Sequence, residues 1–298
     1  MSSIAYVTDE KMLEYQRLCR HRTILFWRLS SKKNFSDFRK GDLLFFFSKP
    51  RYGKKKGFVG YAHFDSIKKL SIKQMWKNYG ERTGYNSEQQ LYEAIRKTAR
   101  NQIPEKLSCL YLTGVVFFVS PVYPDEVDIQ IPIHLESYCY LDRNDPEITV
   151  KILEKASKNG IDLWSADPDE NPEDTFLLDM LNHQLAKIHH EMGKEAGTER
   201  ERIQAHRIAR EKTADPAWSF IKGSKTDCIK IEDDAIHLAI PFVYSIKDKE
   251  LRIREYIGRI MFYKLYMEQC EMNRKIHFEV LSEKECDQLK EMVKKINE

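Results

Sequence analysis

The stretch FRKGDLLFFFSKPRYGKKKGFVGYAHF, Phe38 to Phe64, decides how the first half of the chain reads. Arg39, Lys40, Gly41 and Asp42 make a turn. Leu43 to Phe47 is then an unbroken apolar run, the pattern of a strand covered on both faces. Ser48 closes it. The loop from Lys49 to Lys56 carries Lys49, Arg51, Lys54, Lys55 and Lys56 beside Tyr52. Gly57 and Gly60 punctuate a second strand, on which Phe58, Ala62 and Phe64 share a face. A glycine inside a strand marks a bulge or the close approach of another backbone or a ligand.

Working outward, the 298 residues leave room for two domains of ordinary size, and a hydrophobic content of 42% supports real cores. No apolar run approaches the ~20 residues of a membrane span, so no membrane association is expected. MSSIAYVTDEK lacks the basic-then-apolar layout of a secretory signal. The six cysteines, Cys19, Cys109, Cys139, Cys228, Cys270 and Cys286, are scattered and include no C-x-x-C pair. That pattern points to free thiols in a cytoplasmic setting and away from a zinc ribbon. The net charge of +3 hides an asymmetry. Residues 1–105 hold 22 Lys and Arg against 10 Asp and Glu, whereas residues 106–180 hold 5 against 15. A basic first third is the footprint of a protein that binds a polyanion. Mutual neutralisation of the two segments within the fold is the alternative.

Local patterns place the other elements. Asp9 to Arg20 reads as a short helix. TILFWRL, Thr23 to Leu29, is a strand on which Leu25, Trp27 and Leu29 point one way and Ile24, Phe26 and Arg28 the other. Capping-box pairs Ser71 with Gln74 and Ser87 with Gln90 open two helices. Leu110 to Val119 is a strand, and the alternation from Val127 to Ile133 predicts another. A helix runs from Asp145-Pro146 to Gly160, ADPDENPED (166–174) is a linker, and Thr175 to Met192 and Lys194 to Lys212 are helical. The remainder reads β-β-α-β-α, with a hairpin turning at Asp233-Asp234. The expected architecture is α+β: a nucleobase-binding domain over 1–145, a helical connector over 146–216, and a small α/β effector or interaction domain over 217–298.

Residues 20–142 resemble the PUA-like superfamily, and its EVE branch in particular, whose relatives include the YTH domains. The resemblance is carried by FWRLS (Phe26 to Ser30), GDLLFFFS (Gly41 to Ser48), GFVGYAHF, WKNYGERTGYNS (Trp76 to Ser87) and FFVSPVYPDE (Phe117 to Glu126), in that order. The Lys-Ser-Glu-Pro opening of some EVE proteins is absent. The resemblance implies a small bent β-barrel with helices at its rim, and a pocket for one flipped, often modified, base. Such a pocket needs aromatic walls and a few polar tips, and the strand around the base needs cations. Trp27, Tyr79 and Tyr85 are the wall candidates. Arg28, Ser30 and Ser48 are candidates for edge or phosphate contacts, and Lys54, Lys55 and Lys56 for the backbone. Trp76, on its helical stripe, reads as core.

No catalytic or cofactor motif is present: there is no HExxH, G-x-S-x-G, P-loop or G-x-G-x-x-G, and neither a cofactor nor a metal is expected. His183, His189, His190 and Glu191 lie on one predicted helix, but without a metal-binding spacing, and read as a solvated or partner-facing cluster. The C-terminal part faintly resembles a PD-(D/E)xK nuclease: Asp234 precedes a strand, and a helix, Glu250 to Gln269, follows. Ser245-Ile246-Lys247 stands where Glu-x-Lys would, so the central acid is missing. The leading expectation is a reader of a modified base in DNA or RNA, in phage defence or RNA modification. A metal-dependent nucleic-acid hydrolase and a non-catalytic adaptor, with a protein partner on the C-terminal half, are the alternatives. Whether the chain is an enzyme is left open by the sequence.

Overall fold

The computed structural model describes residues 2–29, 35–49, 55–132, 134–143, 145–165, 171–193, 197–232, 235–269 and 274–298. The protein is α+β, and its internal contacts divide it into two compact units, Met1–Met180 and Leu181–Glu298.

The first unit contains β1 (Ser3–Val7), α1 (Glu10–Leu18), β2 (Ile24–Arg28), β3 (Leu43–Ser48), β4 (Gly57–Leu70), α2 (Ile72–Tyr79), α3 (Glu88–Thr98), β5 (Leu107–Val122), β6 (Tyr138–Asp142), α4 (Glu147–Asn159) and the start of α5 (Pro172–Met192). Its six strands form one sheet in the order β2-β5-β4-β3-β1-β6. All neighbours are antiparallel except β1 and β3. The organising hairpin is present as its sequence predicts. Leu43 to Ser48 are buried throughout, and the Arg39 N–H donates to Asp42 Oδ2 (2.8 Å) in the turn before β3.

The sheet is strongly curled. In a flat sheet, the four steps from β2 to β1 would separate their rings by about 19 Å. Instead Tyr6 and Phe26 meet edge to face, with centroids 4.7 Å apart. The inner face closes over Ile4, Phe26, Leu44, Phe46, Ala62, Phe64, Leu110 and Leu112, all buried. No ladder joins β2 to β6 among the described residues, so the barrel is an open one. Three register shifts between β4 and β5 add the local twist that such a curl requires. The outer face buries Leu25, Leu107 and Cys109 against Met75 of α2 and Leu91 and Ile95 of α3.

Gly60 answers to the close approach that its place in a strand predicts. A Cβ there would overlap the Val116 carbonyl oxygen and stand 3.0 Å from Phe117 Cα, both backbone atoms of β5. Neither can swing away, so Gly60→Ala is expected to destabilise the first unit by about 1–3 kcal/mol, the usual cost of overpacking, read from urea unfolding of the full chain.

One local expectation is corrected, and one strand appears where the sequence reading placed none. The segment 127–132 is not a strand: Asp128 takes a left-handed φ of 57°, and the Ile129 N–H turns back to the Pro124 carbonyl (2.9 Å). Alternation alone does not supply a partner strand. Conversely, SIAYV forms β1, held between β3 and β6 by partners far away in sequence.

The second unit contains the end of α5, then α6 (Glu199–Lys212), β7 (Ser219–Phe220), β8 (Cys228–Ile231), β9 (Ala235–Pro241), α7 (Lys249–Gln269), β10 (Lys275–Leu281) and α8 (Asp287–Asn297). Its sheet runs β10-β9-β8-β7, with β9 and β10 parallel across the α7 connection. Leu181, Leu185, Ile253, Ile260, Tyr263 and Leu289 pack with Leu238 and Phe278 of the sheet. Among the described residues no helix is long and apolar enough to cross a membrane.

Candidate nucleic-acid interface

An opening with basic walls lies in the first unit, a cavity of about 400 Å³. Local backbone chemistry builds it. Helix α1 ends in a Schellman motif: the His21 N–H reaches back to the Gln16 carbonyl (3.1 Å) and the Arg20 N–H to that of Arg17 (3.2 Å). Arg20 occupies the left-handed position of the motif, with φ 56°, where glycine is usual. The reversal brings Arg20, His21 and Arg22 to the cavity wall. The Arg20 guanidinium lies over the Trp164 ring, 5.2 Å from its centroid.

The opposite wall is set by a bulge. Between the pairs Tyr61–Val116 and His63–Thr113, β5 carries an extra residue, and Gly114 there has φ 57°. A Cβ on Gly114 would lie 2.5 Å from His63 Nδ1, so glycine lets the imidazole rest against the strand. Bulges of this kind re-aim side chains beside functional sites. His63 Nε2–H donates to Asp179 Oδ1 (2.8 Å), and the Tyr61 hydroxyl donates to Asp179 Oδ2 (2.8 Å). With Nε2 engaged, Nδ1 carries the lone pair of His63. Burial, and then the Asp179 carboxylate, push the Tyr61 phenol well above its ordinary pKa, so it stays a donor. Thr113, Ser165 and Thr175 add side-chain hydroxyls. With Thr23 included, the described lining holds two arginines, two histidines and four hydroxyl side chains and, among the described residues, no carboxylate; Asp179 stands behind His63. Burial holds the His21 imidazole below its ordinary pKa, with Glu81 pulling the other way and Arg82 adding to the fall.

The residues singled out by sequence lie elsewhere. Trp27, Tyr79 and Tyr85 gather on the outer face of the sheet, each half-buried against the α2 and α3 cluster. The Trp27 indole donates to Tyr85, whose pKa is pushed up to about 12, chiefly by burial and by Asp9. Lys68 Nζ donates to the Tyr79 hydroxyl (2.5 Å) and lies over the Tyr79 and Tyr111 rings. Arg28 leaves β2 on the other face. It is buried, with its guanidinium 4.8 Å from the Phe35 centroid and close to Tyr6 and Tyr138. Trp27 and Arg28 therefore do not line one pocket. Ser48 is buried at the end of β3. Lys55 is exposed and pairs with Asp125 (3.3 Å), and Lys56 is half-buried. Ser30, Arg51, Tyr52, Lys54, Asp233 and Asp234 lie outside the described residues. None of Trp27, Arg28, Ser48, Tyr79, Tyr85, Lys55 and Lys56 lines the cavity. Its walls come from residues 20–23, 63, 113–116, 165, 172 and 175, and no short motif joins those positions.

In the second unit, the expected solvated or partner-facing cluster of His183, His189, His190 and Glu191 divides: His190 and Glu191 are exposed, but the other two turn inward. His183 is buried, and His189 packs 3.5 Å from Asp227, a long ionic contact. Asp227 is fully buried and accepts from Arg259 Nη2 (2.7 Å), Arg259 Nε (3.1 Å) and the Tyr263 hydroxyl (2.7 Å). Burial alone would raise its pKa, but Arg259, with His189 and Tyr263, holds it well below the usual carboxylate range. Ser245 begins a short 3₁₀ turn and donates to Asp248 Oδ2 (2.7 Å). Among the described residues no group of three metal-capable side chains forms at that sheet.

No known family's sequence profile matches the chain, and no curated protein matches it. Among solved structures, ASCH from Zymomonas mobilis is similar at 16% identity and a TM-score of 0.36, over 51% of this chain and 93% of that one. A tyrosine-to-phenylalanine variant of the same protein aligns at 18% identity and a TM-score of 0.35, over 51% and 97%. A likeness at that level decides nothing about activity.

Proposed function

We propose that the first unit binds a nucleic acid, with a phosphate of the strand seated between Arg20 and Arg22. One observation carries the proposal: a cavity of about 400 Å³ whose charged side chains, among the described residues, are basic, with Arg20 and Arg22 from the basic first third of the chain. Guanidinium groups offer paired donors to phosphate oxygens, and hydroxyls complete the shell. The volume is in the range of pockets that hold a nucleotide-sized ligand. The finer reading, a flipped and modified base, rests on Trp27, Tyr79 and Tyr85, whose half-buried rings leave flanks for stacking.

The test is a fluorescence-anisotropy titration of the full chain with short single-stranded DNA and RNA, with and without methylated bases, at two salt concentrations. Arg20→Ala with Arg22→Ala is expected to weaken binding tenfold or more and to lower the slope of log K against log salt by about 1 per lost phosphate contact. Tyr79→Ala is expected to cost about 1–3 kcal/mol if the base stacks there. Affinity and salt slope both unchanged in the double variant would overturn the phosphate site. Equal affinity for modified and unmodified oligonucleotides would overturn the base reading alone.

A further inference from the structure

Beside the cavity, three metal-capable side chains converge that no sequence motif announces. Cys19 Sγ, a ring nitrogen of His21 and a carboxylate oxygen of Glu81 all lie within 4.8 Å of one another. We propose that Cys19, His21 and Glu81 bind a divalent cation of the zinc class, as a three-ligand site with an open fourth position. Thiolate, imidazole and carboxylate form a mixed donor set that suits Zn²⁺ and its neighbours rather than Mg²⁺ or Ca²⁺. Ligand bonds of about 2.0–2.3 Å place tetrahedral donors roughly 3.3–3.6 Å apart. The Glu81 side chain, on the surface, can close that gap by rotating.

The surrounding structure orients the ligands. Cys19 and His21 flank Arg20, the left-handed residue of the Schellman motif, so one turn of backbone presents both. Glu81 comes from the 3₁₀ turn Gly80–Thr83. Gln16, fully buried, ties the two segments together. Its Nε2 donates to the Arg82 carbonyl (2.9 Å), which fixes its Oε1 as the partner of His21 Nδ1 (2.7 Å). An amide oxygen only accepts, so His21 Nδ1 bears the proton and Nε2 the lone pair that a cation needs. A hydrogen bond on the far nitrogen is the usual support of a metal-binding histidine. Because His21 also lines the basic cavity, a bound cation would add positive charge at its wall.

The test is direct titration of the metal-stripped full chain with Co²⁺, followed by competition with Zn²⁺. The expected result is one equivalent of tightly bound Co²⁺ with a near-ultraviolet sulfur-to-cobalt charge-transfer band, displaced by Zn²⁺. Cys19→Ser should abolish the band, whereas Cys139→Ser should keep it. His21→Ala and Glu81→Gln should weaken binding at least tenfold. Gln16→Ala, which removes the orienting contact to His21 together with the bond to the Arg82 carbonyl, should cost about 10–100-fold or more. Circular dichroism of each variant separates lost binding from lost folding, and Glu81→Gln, at a surface position, keeps the test decisive if a buried variant unfolds. Absence of the band, or a band indifferent to Cys19→Ser, would overturn the site. Neither result touches the phosphate reading, which is tested with Arg20 and Arg22.

Discussion

Asp227→Ala is expected to lower the stability of the second unit by about 3–5 kcal/mol, the cost of breaking a buried ion pair from one side. The carboxylate is fully buried, and four side chains, Arg259, Tyr263, Thr226 and His189, are organised on it. Its removal leaves the Arg259 guanidinium, only 21% exposed, without its buried counter-charge and takes away the acceptor of the Tyr263 hydroxyl. Asp227→Asn restores the volume but not the charge and is expected to recover only a minor part of the loss. The pH dependence has a fixed sign. The folded pKa lies below the ordinary value of 3.8, so the contribution is complete above that value and is lost as the pH falls toward the folded pKa. Wild type should therefore lose stability on acidification more steeply than either variant. Urea unfolding at pH 7 and at pH 3 measures both effects. A loss under about 1 kcal/mol at pH 7 would show that Arg259 reaches solvent and that the pair is no keystone.

Asp179→Ala should be the most damaging single change in the first unit outside its apolar core. Two donors, the Tyr61 hydroxyl and His63 Nε2–H, end on this carboxylate. Each buried donor left unsatisfied costs about 1–3 kcal/mol, and Tyr61 is completely buried. The expected loss is thus roughly 2–5 kcal/mol. Tyr61→Phe combined with Asp179→Ala removes one orphan and should cost less than the two single changes summed. Asp179→Asn is informative for the site. Its amide can still accept from Tyr61 while donating to His63, which would move the imidazole proton to Nδ1 and take away the lone pair beside the cavity. NMR of the imidazole nitrogens reads that change directly; an unchanged tautomer would place the lone pair of His63 under some other control.

The organising hairpin was legible because its signals are local. A continuous apolar run, a turn with Asp42, and a glycine wherever another backbone comes close are all written within 27 consecutive residues. The alternation that puts Trp27 and Arg28 on opposite faces was equally plain. It also shows why those two cannot serve one pocket, and a list of candidate residues conceals that. What escaped is what depends on distant partners. Strand β1 is too short to declare itself and exists because β3 and β6 flank it. Asp179 sits among the apolar residues of a helix, and only the fold discloses that it serves a histidine 116 positions earlier. Cys19 and His21 were visible as neighbours, but Glu81 comes from a separate turn.

The place of β1 has a consequence for how the chain assembles on the ribosome. Strand β1, synthesised before both of its partners, pairs with β3 as soon as that hairpin emerges, yet its other edge waits for β6, with Ser3 opposite Asp142. At about 5–20 residues per second, the interval between β3 and β6 lasts several seconds or more. Throughout it, an apolar strand edge stands open beside a half-closed sheet, a template for pairing with a neighbouring nascent chain. Slow decoding after β4 would prolong that exposure, and faster decoding would shorten it. The yield of soluble protein should therefore respond to codon choice between residues 71 and 137 more than to codon choice anywhere in the second unit.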